Sequence, residues 1–244
     1  MKRAFSIAIA AALLATGSIA HADHHAGASA AIAAAVADDR RPEVDTARDP
    51  LRKPAEIVAF AGVEPGMSIA EIAPGGGYFT RILAESVGPD GKIYALMPAF
   101  FANRPGGLDG INALAEEYGN IEVVVIDYAD TVLPEPVDLV WTTENYHDLA
   151  NGDIAVVNNW VAGSLKPDGI FFVEDHSAPG TGTEATNTIH RIDPMAVIAQ
   201  VTEAGLVLEA TSDLLANPDD PRDISPREVQ PTSEKFALRF RKPE

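Results

Sequence analysis

Residues 67–87 read Met67-Ser68-Ile69-Ala70-Glu71-Ile72-Ala73-Pro74-Gly75-Gly76-Gly77-Tyr78-Phe79-Thr80-Arg81-Ile82-Leu83-Ala84-Glu85-Ser86-Val87. The spacing predicts a strand over Met67–Ile72 and a helix over Phe79–Val87, whose Phe79, Ile82, Leu83 and Val87 share one face. Three glycines occupy the turn between them. A strand-to-helix turn of this composition lets backbone amides approach a ligand closely, at the end of the sheet where doubly wound folds bind nucleotides. A tight connection needing positive φ would call for glycines too, so the loop gains meaning only from its surroundings.

Those surroundings alternate strand and helix. Strands are predicted at Lys92–Met97, Ile121–Ile126, Val137–Thr142 and Gly169–Glu174, and helices at Leu108–Tyr118, Asp153–Leu165 and Pro194–Ala204. The run Ile121–Ile126 is nearly all β-branched, which suits a strand buried on both faces. Leu206–Thr211 and Lys235–Arg241 are two further strands without a helical pattern between them. The Asp- and Pro-rich segment Ser212–Glu234 is expected to be a long surface excursion joining an antiparallel pair. The fold class is therefore α/β: a Rossmann-like, doubly wound, mostly parallel seven-stranded sheet ending in an antiparallel β-hairpin.

At the other end, Lys2 and Arg3 precede a largely apolar run from Ala4 to Ala20 that closes in Ala20-His21-Ala22. This is the pattern of a secretory signal peptide (1–22) cut after Ala22, which predicts a periplasmic or secreted protein with no stable membrane anchor after cleavage. Residues 23–45 are rich in Ala, His and Asp and poor in bulky apolar groups, so they are expected to form a flexible tail or a loosely docked helix, with the main domain spanning 46–244. The chain has no cysteine, which permits an oxidising compartment, and its formal net charge is −18. Such acidity repels phosphate backbones and argues against a nucleic-acid partner. Composition leaves the oligomeric state open.

The segment Glu71–Gly77 resembles motif I of the class I S-adenosylmethionine (SAM)-dependent methyltransferases, with Ala73 in place of the first glycine of G-x-G-x-G and Gly75 and Gly77 kept. Lys92–Met97, Asp127, Val137–Asp148 and Leu165–Gly169 follow in that family's order. The likeness covers roughly Thr46 to Glu244 and is greatest to exported bacterial predicted methyltransferases with a PGGGYFT loop and a YHD segment. It implies SAM as cofactor, held by Glu71, Ala73, Gly75, Gly77 and Asp127, with Asp130 a nearby substitute for Asp127. Met97 stands where the family's ribose-binding acid would be, and a thioether cannot accept the two hydrogen bonds that a carboxylate accepts.

Two polar clusters, Glu144-Asn145-Tyr146-His147-Asp148 and Glu174-Asp175-His176, end neighbouring parallel strands and should face the same crevice as the glycine loop. His190-Arg191-Ile192-Asp193 follows and is expected to close over it. His147 or His176 suits the role of base toward a small-molecule acceptor, Asp148 or Asp175 would orient it, and Tyr146 would align the acceptor. The same side chains offer mixed N/O metal ligands, but no spacing motif such as H-E-x-x-H is present, so no metal set is assigned. Cleavage after Ala22 would also create an Asp23-His24-His25 terminus suited to Cu(II) or Ni(II). The leading expectation is SAM-dependent methyl transfer; the alternative is a non-catalytic exported binding protein, for a small ligand or metal, that retains the fold.

Overall fold

The computed structural model describes residues 17–244. Its strands are β1 (Ser68–Ile72), β2 (Lys92–Pro98), β3 (Ile121–Ile126), β4 (Val137–Thr143), β5 (Leu165–His176), β6 (Val207–Ser212) and β7 (Lys235–Arg241). They form one seven-stranded sheet in the order β3-β2-β1-β4-β5-β7-β6. The first five pair in parallel, while β7 runs antiparallel between β5 and β6. Strand order reverses between β1 and β4, which leaves a crevice at their carboxyl ends. The Rossmann-like fold class read from the sequence is the one observed.

The longer helices are α1 (Gly17–Val36), α2 (Pro54–Ala61), α3 (Tyr78–Val87), α4 (Asp109–Tyr118), α5 (Ile154–Ser164) and α6 (Pro194–Glu203). Alternate strand residues point to opposite faces, so each strand feeds two cores. On one face Ile69, Ile93, Leu139 and Phe172 pack against Phe79, Ile82 and Leu83 of α3 and Ile111 and Leu114 of α4. On the other, Ala70, Tyr94, Val140 and Phe171 pack with Trp160 and Val161 of α5 and Val197 and Val201 of α6.

Three sequence expectations are modified. The β-branched run of β3 lies at the sheet edge, with Val125 45% exposed, rather than buried on both faces. Branching at Cβ favours a strand without saying which place in the sheet it takes. Of the two forms expected for residues 23–45, the docked helix rather than the flexible tail is seen over much of their length: Ala28, Ile32 and Ala35 of α1 are buried, and Ile32 and Ala35 join the core that contains α2 and α3. Alanine contributes little bulk but lets a helix approach closely, which composition alone understates. Beyond α1, buried Arg41 donates to the Val36 carbonyl and makes a two-pronged ion pair with Asp49. Lastly, the excursion between β6 and β7 carries one turn of 3₁₀ helix, Pro226–Glu228, and is partly interior, with Leu215, Asp220, Val229 and Ser233 buried.

The expected signal peptide lies mostly outside the described residues. Among those described, no helix is long and apolar enough to cross a membrane.

Candidate functional site

The glycine loop adopts left-handed backbone at Ala73 (φ 51), Gly75 (φ 58) and Gly77 (φ 80). Gly77 is required by packing, because a Cβ there would sit 2.2 Å from Leu114 Cδ1 of α4. Gly75 differs: a Cβ built on it meets no atom within 4 Å, so the loop presents open space to a ligand. Arg81 of α3 reaches back to donate to the carbonyls of Gly76 and Gly77, both at 2.9 Å, and fixes the turn. Beneath it, Glu71 is 2% exposed and its Oε2 has no hydrogen-bond partner. Burial pushes its pKa up to about 7, offset in part by the Thr80 hydroxyl.

The ribose end is less well supplied. Met97 is buried in the apolar cluster that includes α3 and α4, so no carboxylate stands at the end of β2. Asp127 is exposed, and its side chain closes its own turn by accepting from Ala129 N at 3.0 Å, while its amide donates to Thr131 Oγ1. Asp130 is exposed in the same turn.

Asn145 joins the glycine loop to the YHD segment, its Nδ2 donating to the carbonyls of Thr143 and Ala73 at 2.7 and 3.3 Å. The histidines then gather around the end of β5. Asp175, wholly buried, accepts from the amides of His147 (2.8 Å) and His176 (2.7 Å), and its Oδ1 lies 2.8 Å from His147 Nδ1. A carboxylate there assigns the Nδ1 proton to His147 and leaves Nε2 as the acceptor atom in the neutral ring. Burial works against a charge on His147, but the Asp175 hydrogen bond and the nearby charges of Asp175, Asp148 and Glu144 outweigh it, and the pKa lies above its ordinary value. The Nε2 atom is 3.5 Å from Asp148 Oδ1, and His190 Nδ1 is 3.6 Å from the same oxygen. His176 turns the other way, pairing Nδ1 with Ser233 Oγ at 2.8 Å. Burial lowers its pKa to about 4, which keeps it neutral near pH 7.

Tyr146 departs from expectation. It is fully buried, its hydroxyl accepts from Asn158 Nδ2 at 2.9 Å and approaches Gln200, and it belongs to the core between β5, α5 and α6. A side chain turned inward cannot align an acceptor in the crevice. The structure thus brings together His147, Asp148, His176 and His190, and separates Tyr146 from them.

Several site residues were not read from the sequence as such. Arg52 lies 2.8 Å from Glu144, and Lys235 contacts Glu144 and lies 3.3 Å from Glu174. Although burial opposes its ionisation, Lys235 and Arg52 hold the Glu144 carboxyl well below the usual range. Burial raises Glu174, and the Lys235 ammonium offsets that only in part. Lys235 shares its face of β7 with Ala237, Arg239 and Arg241, so the local pattern did not set it apart. Around these charges lies a cleft of about 500 Å³, closed on one side by residues 225–233 of the excursion. That wall is fastened by Arg191, whose guanidinium makes paired hydrogen bonds of 2.9 and 3.0 Å to buried Asp220 and also donates to the carbonyls of Ser177 and Ile224.

No protein-family model and no curated protein matches this sequence. Solved structures do. The chain is similar in fold to a SAM dependent methyltransferase from Aquifex aeolicus (TM-score 0.59, 16% identity, covering 80% of this chain and 92% of that one). It is likewise similar to the N-methyltransferase NodS from Bradyrhizobium japonicum WM9 (TM-score 0.55, 17% identity, covering 85% and 100%). The [4+2]-cyclase SpnF matches at TM-score 0.61 and 13% identity, over 89% of this chain and 93% of its own. At these identities the likeness establishes the fold.

Proposed function

We propose that this protein is a SAM-dependent methyltransferase acting on a small molecule, of the exported kind suggested by its PGGGYFT loop and YHD segment, and that it works in the periplasm or outside the cell. The observation that carries the reading is Glu71: a buried carboxylate with an unpaired oxygen, at the foot of a glycine loop open to solvent. A buried anion without a partner is costly. A ligand bearing a cationic amine removes that cost, and the amino-acid portion of SAM supplies one. The methyltransferase neighbours in fold space support the same cofactor.

When bound, SAM would supply an electrophilic methyl group on a sulfonium for transfer to the acceptor, with S-adenosylhomocysteine as the leaving group. The chain's own residues do the rest. Glu71 and the Ala73–Gly77 loop hold the amino-acid end, and Met97 offers an apolar surface where a carboxylate would grip the ribose. The cleft beyond Asn145 admits the acceptor. There His147, oriented by Asp175, presents Nε2 to activate the acceptor's nucleophilic atom. His176, neutral and tied to Ser233, lines the wall.

The test is a calorimetric titration of the purified protein with SAM and with S-adenosylhomocysteine, beside Gly75→Arg. A Cβ at this position meets no atom within 4 Å, and the longer side chain fills the open side of the loop, so binding should fall at least tenfold; the left-handed backbone (φ 58) costs about 1–2 kcal/mol, and a thermal melt checks that the variant is folded. Absence of binding up to millimolar cofactor would overturn the methyltransferase reading and favour a binding protein that keeps the fold.

A further inference from the structure

We propose that His147, Asp148 and His190 form a site for one divalent transition-metal cation of the zinc type. Each residue offers a ligand atom within 4.8 Å of the other two, and His147 Nε2 and His190 Nδ1 lie 3.5 and 3.6 Å from Asp148 Oδ1. Tetrahedral zinc with bonds of about 2.0–2.1 Å sets its ligand atoms roughly 3.3–3.4 Å apart. The two edges at Asp148 are thus already near that spacing, and the edge between the histidines closes by movement of the exposed side chains. Asp148 and His190 have the freedom to move, with side chains 58% and 53% exposed, whereas His147 is fixed.

How His147 is fixed is an independent observation that points to a ligand. A metal-binding histidine commonly gives its other ring nitrogen to a carboxylate, which sets the tautomer and aims the free lone pair. Asp175 does this at 2.8 Å, and is itself held by the amides of His147 and His176. The buried part of the cluster is thus organised around a lone pair that emerges where Asp148 and His190 converge. Among the described residues no lysine or arginine pairs with Asp148; its salt-bridge-range neighbours are the two imidazoles.

Two imidazoles and one carboxylate select a borderline cation over magnesium or calcium, which prefer all-oxygen shells. Three protein ligands also leave a coordination position free, and here it would open into the cleft lined by Glu144, His176 and the 225–233 segment. With the ion bound, His147 Nε2 is a ligand and no longer a base, so the cation takes over activation: an acceptor with an ionisable oxygen or sulfur would occupy the free position and lose its proton to solvent more readily. Only this last step rests on the proposed methyl transfer. The ion site itself does not.

Zinc chloride titrated calorimetrically into metal-stripped protein tests the inference, with His190→Ala and Asp148→Asn as surface variants whose folding is checked by thermal melts. A His24→Ala/His25→Ala double variant removes the competing tail. The expected result is one zinc per chain at micromolar affinity or tighter, weakened at least tenfold in each surface variant and unchanged in the tail variant. Asp175→Asn should weaken it about 10–100-fold. Zinc binding that survives both surface variants, disappears with the tail variant, or is absent up to millimolar zinc would overturn the proposal. Titrating SAM into the same samples separates the two readings: zinc bound as expected by a chain that takes no SAM keeps the cation site and removes the methyltransferase.

Discussion

Glu71 shows how one side chain ties folding to ligand binding. Its pKa, near 7 in the fold against an ordinary 4.5, means that the folded protein holds this proton across the interval between them. The stability linked to Glu71 is complete below about pH 4.5 and is lost as pH rises through about 7. Glu71→Gln should therefore stabilise the unliganded protein by roughly 1–3 kcal/mol at about pH 8 and leave it little changed at about pH 5, as read from denaturant unfolding. A cationic ligand reverses the preference. SAM binding near pH 7 should release about half a proton from Glu71, seen as a dependence of the calorimetric heat on buffer ionisation enthalpy and missing in the Gln variant. Glu71 was legible in the sequence because it precedes the glycines at a strand end. Tyr146 was misread because a residue beside His147 in sequence can still turn to the opposite side of a strand end.

At the scale of elements, the contact between the loop and α4 decides whether the crevice keeps its shape. Gly77→Ala places a methyl against Leu114 and forces a left-handed backbone on a residue with a Cβ, so it should cost about 2–4 kcal/mol in chemical denaturation. Adding Leu114→Ala should return part of that loss, with a coupling of at least about 0.5 kcal/mol in the double-mutant cycle. Equal and additive costs would show that the loop is held by something else. Strands and long helices were legible from periodicity because each has one apolar face or run to bury. The placement of β3 was not, and the docking of α1 was legible only as an alternative to a flexible tail, since both depend on which neighbour is present rather than on the segment's own pattern. The excursion was legible as a connection but not as the wall of a cleft, because Arg191 and Asp220 lie far apart in sequence and carry no local signal of their pairing.

Over the whole molecule the excess of acidic side chains, net −18, sets a negative field that reaches into solvent to about the Debye length. Both proposed ligands, a cationic cofactor and a divalent metal ion, move down that field. Association of SAM, followed by stopped-flow mixing, should slow as sodium chloride rises from about 10 mM to about 500 mM, with a much smaller change in dissociation. A rate independent of salt would mean that the acidity serves solubility alone.

The pairing of Arg191 with Asp220 has a consequence for engineering. The chain from Asp220 to Lys235 is pinned at its start by that buried guanidinium and at its end by β7, while the residues between contact the cleft. It is thereby a cassette. Between fixed ends the cleft-facing positions can be varied apart from the sheet and the glycine loop, so a library at residues 225–230 that keeps buried Val229 should change which molecules enter while leaving the rest of the scaffold as it is.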